Sequence, residues 1–259
     1  GLNAWLLIAD TNGINVWCAA GKGTFGTDEL VNRIEQTRLK TMVEHHKLIL
    51  PQLAAPGVAA HEVHKRAGFR VEYGPVRATD LPAYLINRKA TVKMRRVRFS
   101  LIERLILIPI ELVHMLLPLI VLGFLFYLLD GLAGILTISA AILAGVVLFP
   151  LLLPWIPTHN FSTKGFVLGG LVSIPFIAMN YSDYLDTGFF PAVTGTLAVL
   201  LIIASATAFL ALNFTGSTTY TSRSGVKKEI YTYFPRMAWM FIGGVVLSLS
   251  LAILRFLAG

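Results

Sequence analysis

Cysteine is almost missing from this chain: Cys18 is the only one in 259 residues. A single thiol excludes an intrachain disulfide, a Cys-x-x-Cys zinc site and an iron–sulfur cluster held by this chain alone. Any electron relay it uses therefore sits on another protein. Charge is the second shortage. From Leu105 to the end only Lys164, Arg223, Lys227, Lys228, Arg236 and Arg255 stand against Glu111, Asp130, Asp183, Asp186 and Glu229, so most of the 22 Lys/Arg and 14 Asp/Glu come earlier. What fills the gap is apolar. Hydrophobic residues make up 55% of the chain and the mean hydropathy is +0.69, outside the range of an ordinary soluble domain. This is the shape of a polar head on a membrane anchor. The basic surplus gathers beside the membrane, so the net charge of +8 does not call for nucleic acid. Internal repeats, paired broken helices and charged pore linings are missing too, which leaves a transporter reading without positive support.

The head, residues 1–88, alternates strand and helix patterns. Trp5-Leu6-Leu7-Ile8-Ala9, closed by Asp10-Thr11-Asn12-Gly13, has the pattern of a buried strand ending in a turn. Lys47–Leu50 before Pro51 and Phe69–Tyr73 before Gly74-Pro75 predict two more strands. Helices are expected over Asp28–Glu44 and His61–Ala67, the second stopped by Gly68. Such alternation predicts an α/β, Rossmann-like layer with a parallel sheet, whose ligands bind at the carboxyl ends of the strands. Asp10–Gly13 and Cys18–Gly26 fall on that edge. The chain begins at Gly1 without Met, close to the first apolar run. This predicts further residues upstream that complete the sheet and part of a cofactor pocket.

Cys18 lies between a tryptophan and two alanines, ahead of a glycine-punctuated turn. A lone thiol there suggests chemistry at sulfur, although a free cysteine also serves as a small buried hydrophobe. Gly21-Lys22-Gly23-Thr24-Phe25-Gly26 spells G-x-G-x-x-G. That dinucleotide fingerprint needs its glycines directly after a strand, whereas Trp17-Cys18-Ala19-Ala20 intervenes and reads as helical. Glu44 stands near the distance expected of a ribose-binding acid, but inside a helical pattern. A Walker A loop fails because Gly23, not Ser or Thr, follows Lys22. His45 and His46 are neighbours that diverge on a helix and read as exposed. A histidine-ligated cobalamin would show Asp-x-His-x-x-Gly, and Glu62-Val63-His64-Lys65-Arg66-Ala67-Gly68 misses both the acid and the glycine spacing.

Asn15-Val16-Trp17-Cys18-Ala19-Ala20-Gly21-Lys22 resembles, residue for residue, the N-V/I-W-C-A-A/G-G-K signature of the HgcA family, corrinoid proteins of anaerobic microbes that methylate mercury. The likeness runs on through Gly23-Thr24-Phe25-Gly26-Thr27-Asp28-Glu29-Leu30. It implies a cobalamin-binding head in which Asn15–Cys18 forms a short cap helix under the corrin, with Cys18 as axial cobalt ligand and catalytic residue. A thiolate is a soft, strongly donating ligand, and coordination removes its proton. Density pushed onto cobalt from below favours loss of the opposite methyl as a carbanion-like fragment, the form that Hg(II) accepts. The resemblance also implies lesser roles. Asn15 caps the short helix; Val16 belongs to it; Trp17 packs on the macrocycle or inside the head. Ala19, Ala20 and Gly21 admit a close approach of the ring. Lys22 meets a corrinoid amide, the phosphate tail or solvent, and Gly23 and Thr24 complete the contact.

The implied function is a methyltransferase that passes a methyl group from methyl-cobalt(III) to inorganic Hg(II), giving methylmercury. The methyl comes from a folate-linked methyl-corrinoid donor, and a ferredoxin-like partner with two 4Fe–4S clusters (HgcB) restores cobalt(I) and carries Hg(II) on its cysteines. One alternative is a membrane-anchored corrinoid methyl carrier of one-carbon and acetyl-CoA metabolism, whose small corrinoid iron–sulfur subunit shares the head's design. As that family is known, it lacks the cap cysteine and the membrane domain. The other alternative is a nucleotide-binding head on a sensor or transporter.

Arg88, Lys89, Lys93, Arg95, Arg96, Arg98 and Arg104 form a basic collar over residues 89–104 and its edge, read as a positive-inside stop signal against anionic lipid or as a dock for an acidic partner. Residues 105–259 then predict five membrane-spanning helices, near 105–129, 132–153, 166–180, 189–212 and 237–258. With five spans, Lys164 and the Arg223–Arg236 group share one side, opposite Asp130, Asp183 and Asp186. That asymmetry predicts a cytoplasmic-membrane protein with its head inside and its C-terminus outside; Arg255 is the one dissenting charge. Glu111 and His114 share a face of the first span and are candidates for an ion or proton path. Gly169-Gly170 and Gly243-Gly244 predict close helix packing.

Overall fold

The structure, a computed structural model, describes residues 4–11, 16, 19–20, 23–186, 188–216 and 223–258. It divides into two compact units, Gly1–Arg98 and Phe99–Gly259.

In the head, α1 (Thr27–Gln36) buries Leu30, Val31 and Ile34 on one face and carries Asp28 and Glu29 in its first turn, where acids complement the helix dipole. The expected helix over Asp28–Glu44 is in fact two pieces. The Thr37 hydroxyl donates back to the Arg33 carbonyl at 2.8 Å, Arg38 takes a left-handed φ of 50°, and only the single turn α2 (Leu39–Met42) follows. Glu44 is therefore outside any helix. Strands β1 (Lys47–Leu50) and β2 (Arg70–Tyr73) pair in parallel, with Lys47 opposite Arg70 and Leu50 opposite Tyr73. Between them, α3 (Ala60–Ala67) ends on Gly68 at φ 75°, whose N–H returns to the His64 carbonyl at 2.9 Å, a left-handed stop that glycine adopts without strain. Phe69, Val63 and Ala54 are fully buried at the centre of this βαβ unit, with Leu30, Val31, Ile34 and Leu50 around them.

Trp5–Ala9 is not a strand. A strand exists only through its ladder, and the sheet described has the order β1–β2 alone. Leu7 packs against the head core while Trp5, Leu6 and Ile8 are exposed. The Rossmann-like layer expected from the pattern is thus, among the described residues, one parallel βαβ unit. After β2 the chain forms α4 (Leu81–Asn87), closed by Arg88 at φ 50°. The collar then folds onto the head: Val76 N–H donates to the Met94 carbonyl at 2.8 Å, and Arg95 reaches the Gln52 side chain at 3.4 Å.

The second unit is helical. Ser100 and Glu103 form a reciprocal capping box at the start of α5 (Leu101–Leu143). This helix is broken at Asp130 and at Gly131, whose φ of 56° and ψ of −137° are open essentially to glycine alone. Its second arm comes back along the first. A Cβ on Gly134 would sit 2.1 Å from the Phe126 carbonyl oxygen, and Phe126 clusters with Ile138, Ile142 and Val146. Asp130 at this turn is ion-paired with Arg255, which gives the dissenting charge of the sequence reading its partner. The second arm widens into a π-turn over Ala144–Leu148 ahead of Pro150, which lacks an N–H and crowds the carbonyl four residues back. It closes with the short α6 (Phe149–Leu152).

Long helices α7 (Phe161–Asp186), α8 (Phe189–Asn213) and α9 (Arg223–Ala258) complete the unit. By length and composition four helices among the described residues can cross a membrane: Leu101–Leu152, Phe161–Met179, Phe189–Asn213 and Ser224–Leu257. The first of them is the folded one. α8 is buried around most of its circumference, whereas α9 is largely exposed. The α9 helix begins well before Met237, so Lys227, Lys228 and Arg236 lie within it.

Arg104, counted with the collar in the sequence, is instead buried inside the helical unit. It donates to the Pro150 and Leu151 carbonyls at 2.9 and 2.6 Å and lies 5.8 Å from the Trp155 ring. Those carbonyls end a helix and have no N–H of their own to accept. Arg104→Met keeps the stem and removes the donors; the expected loss is about 1–3 kcal/mol, measured as thermal unfolding of the protein in detergent, with no change if the arginine is merely a surface charge.

Candidate functional site: the carboxyl edge of the head

The loop that leaves β1, Pro51–Val58, is the frame of this edge. Its far end is tied to β2 by the Tyr73 hydroxyl, which donates to the Val58 carbonyl. Its near side lies against the segment that follows Cys18. A Cβ added to Gly57 would stand 2.5 Å from the Ala20 carbonyl oxygen, 2.7 Å from Ala20 Cα and 2.8 Å from the Phe25 oxygen. Backbone meets backbone there, and only a bare Cα fits. Thr27 closes the same joint. Its N–H donates to the Gly57 carbonyl at 3.2 Å and its hydroxyl accepts the Ala59 N–H at 2.9 Å.

Within the segment, the Ala19 carbonyl is the hub. It accepts the N–H groups of Gly23 at 3.0 Å and Phe25 at 3.1 Å and the Thr24 hydroxyl at 3.3 Å. Ala19 and Ala20 are buried and helical; Val16 is helical and half-buried and packs on the head core. Gly23 turns at φ 91°. Of the ten predicted cofactor contacts, then, Val16, Ala19, Ala20, Gly23 and Thr24 are gathered at this edge. Asn15, Trp17, Cys18, Gly21 and Lys22 lie outside the described residues.

The nucleotide alternative finds little here. No strand precedes the glycines among the described residues, and the helix that follows carries two acids in its first turn. Asp28 is paired with Arg66 and Glu29 with Arg33 at 2.8 Å. A helix N-terminus that cradles pyrophosphate keeps its N–H groups for the ligand; this one presents carboxylates. The Arg66 guanidinium donates to the Asp28 carboxylate, and that hydrogen bond raises its pKa above the ordinary arginine value. His45, His46, His61 and His64 are exposed, and no group of three or more His, Cys, Asp or Glu comes together among the described residues. In the helical unit, Glu111 is half-buried and His114 exposed, and among the described residues they belong to no cluster of three or more His, Cys, Asp or Glu.

Sequence reasoning passed over Gly57, Thr27 and Tyr73. The signal for Gly57 was its place in Ala-Ala-Pro-Gly-Val a few residues after a strand, a turn spelling; nothing local marks Thr27 or Tyr73. It also passed over Glu229, which is buried and accepts the Ser162 N–H at the start of α7.

Comparison with known proteins places a resemblance on this same head. Residues 1–85 match the family model described as CO dehydrogenase/acetyl-CoA synthase delta subunit, CdhD. The head is similar to acetyl-CoA decarbonylase/synthase subunits. The gamma subunit of Archaeoglobus fulgidus is 29% identical over 85 residues, 33% of this chain and 18% of that protein. Gamma subunit 2 of Methanosarcina thermophila is 35% identical over 86 residues, and the gamma subunit of Methanopyrus kandleri 31% over 84, each covering 32% of this chain and 18% of the relative. The chain therefore spans about a fifth of the length of these relatives, and the match to the family model ends before the long apolar helices begin. No solved structure matches the chain.

Proposed function

We propose that this chain is a membrane-anchored corrinoid methyltransferase whose head would hold cobalamin with Cys18 as a cobalt ligand, and that its methyl acceptor is inorganic Hg(II). The observation that carries the reading is the Asn15–Lys22 motif, with its single thiol, in a head that is similar to subunits of the acetyl-CoA decarbonylase/synthase complex. Support comes from the donor set. The chain offers one thiol, its neighbours Ala19 and Ala20 are small and buried at the carboxyl edge of a parallel pair, and the head histidines are exposed. Those features fit a corrinoid bound by sulfur.

The cofactor supplies the metal–carbon bond that is broken in the transfer. The chain's own contribution is sulfur. Cys18 would hold the cobalt as a thiolate, a stronger donor than a neutral imidazole. Val16, Ala19, Ala20, Gly23 and Thr24 hold the segment; Asn15, Trp17, Gly21 and Lys22 complete the cofactor contacts. Having spent its one thiol as a ligand, the chain receives Hg(II) and electrons from a ferredoxin-like partner with two 4Fe–4S clusters. The long helices hold the head at the cytoplasmic face of the membrane.

The visible spectrum of the purified, cobalamin-loaded protein tests the ligand. Bands that change on Cys18→Ala are the expected result. A second reading is favoured by the relatives themselves: a membrane-anchored methyl carrier of acetyl-CoA metabolism. That reading predicts bound cobalamin whose spectrum ignores Cys18→Ala. Bound nucleotide without cobalt overturns both.

A further inference from the structure

We infer that Gly57 and Thr27 are positioning residues that hold the Ala19–Ala20 backbone, to which Cys18 is joined in sequence, and so serve the thiolate ligation proposed above, on which this inference rests. Three contacts carry it. The bare Cα of Gly57 lets the post-β1 loop meet Ala20 and Phe25 backbone to backbone, at distances a methyl group would reduce to 2.5–2.8 Å. Thr27 locks the joint from the other side through its N–H on Gly57 and its hydroxyl beneath Ala59. Tyr73 anchors the loop's end to β2 through Val58. The path thus runs from the second strand, through the loop, to Ala19-Ala20, and Cys18 is the next residue in the chain. A side chain that is to ligate a metal needs its supporting segment held in place. Neither residue touches the reacting atoms in this scheme; they act through the segment.

The test uses the full chain in detergent, apo and loaded with hydroxocobalamin, as wild type, Gly57→Ala, Thr27→Val, Thr27→Ser and Cys18→Ala. In the apo protein, Gly57→Ala and Thr27→Val should speed amide exchange at Gly23 and Phe25 about tenfold or more while β1 and β2 keep their protection. In the loaded protein the same two variants should lose most of the spectral difference that separates wild type from Cys18→Ala. Thr27→Ser, which keeps the hydroxyl, should restore both. A loosened segment with a wild-type spectrum overturns the positioning role, as does unchanged exchange at Gly23 and Phe25. If Gly57→Ala does not accumulate, the Thr27 pair decides alone. A spectrum indifferent to Cys18→Ala itself overturns the corrinoid ligation beneath this inference and the role with it. A spectrum that needs Cys18 but ignores both joint variants overturns the role only.

Discussion

Cells that carry Cys18→Ala should form methylmercury at a rate at least about a hundredfold below the parental one, with protein levels matched. The size follows from what is removed. On the function proposed above, sulfur from Cys18 would donate electron density to the metal mainly in the transition state of methyl transfer and little in the resting complex. An interaction made only there lowers the rate by a factor of ten for each ~1.4 kcal/mol withdrawn. Losing the whole donation, on the order of 3 kcal/mol, gives two decades. Cys18→His is the graded case. Imidazole binds cobalt but donates less, so this variant should keep bound cobalamin and only a small part of the rate. Methylmercury production by Cys18→Ala at the parental rate would remove sulfur from the mechanism. Equal rates for Cys18→Ala and Cys18→His would mean that ligand strength is not what the position provides.

The second large effect is expected in the helical unit, at Gly165 and Gly169. These glycines, four apart on α7, face Ala204 and Ala208, four apart on α8. A Cβ on Gly165 would come within 2.5 Å of Ala208 Cα, and one on Gly169 within 2.7 Å of Ala204 Cα. Small residues at this spacing let two helix backbones touch where apolar burial cannot drive association, because lipid is as apolar as the helix. Gly165→Leu or Gly169→Leu must push α7 off α8. The core formed by Ala141, Val199 and Ile203 with Val172 and Phe176 opens with it. A loss beyond the ~1–3 kcal/mol usual for overpacking is expected, since backbone rather than side chain has to yield. It is read as failure to accumulate folded protein in membranes. Gly170→Ala is the control: it adds a methyl in open space on the same helix and should be harmless. Normal accumulation of Gly165→Leu would show that α7 and α8 are not packed this closely.

The adjacent pairs Gly169-Gly170 and Gly243-Gly244 look alike in sequence, yet the fold uses one of each. Gly169 and Gly244 meet backbone or side chain below 3 Å, while Gly170 has open space and Gly243 one contact at 3.9 Å. Helix phase decides which glycine faces a neighbour, and phase is set by the packing of the whole helix. Arg104 makes the same point for charge. In sequence it belongs with Arg95, Arg96 and Arg98, but the helix turns it inward onto two carbonyls that a distant proline turn leaves exposed.

Periodicity, punctuation and composition placed β1, β2, α3 and the apolar helices, because each of those patterns reports local geometry: side-chain alternation, a left-handed glycine stop, or enough apolar length. The chemistry proposed for Cys18 came instead from the resemblance of its motif to a known family. Only the tertiary structure decided what depends on partners far along the chain. It denied Trp5–Ala9 a strand by giving it no ladder, turned α5 back at Gly131, joined Asp130 to Arg255, and set Ala20 against Gly57. Those outcomes are contacts, or the absence of contacts, between residues beyond one another's local stretch of chain, and no local pattern encodes which surfaces will meet.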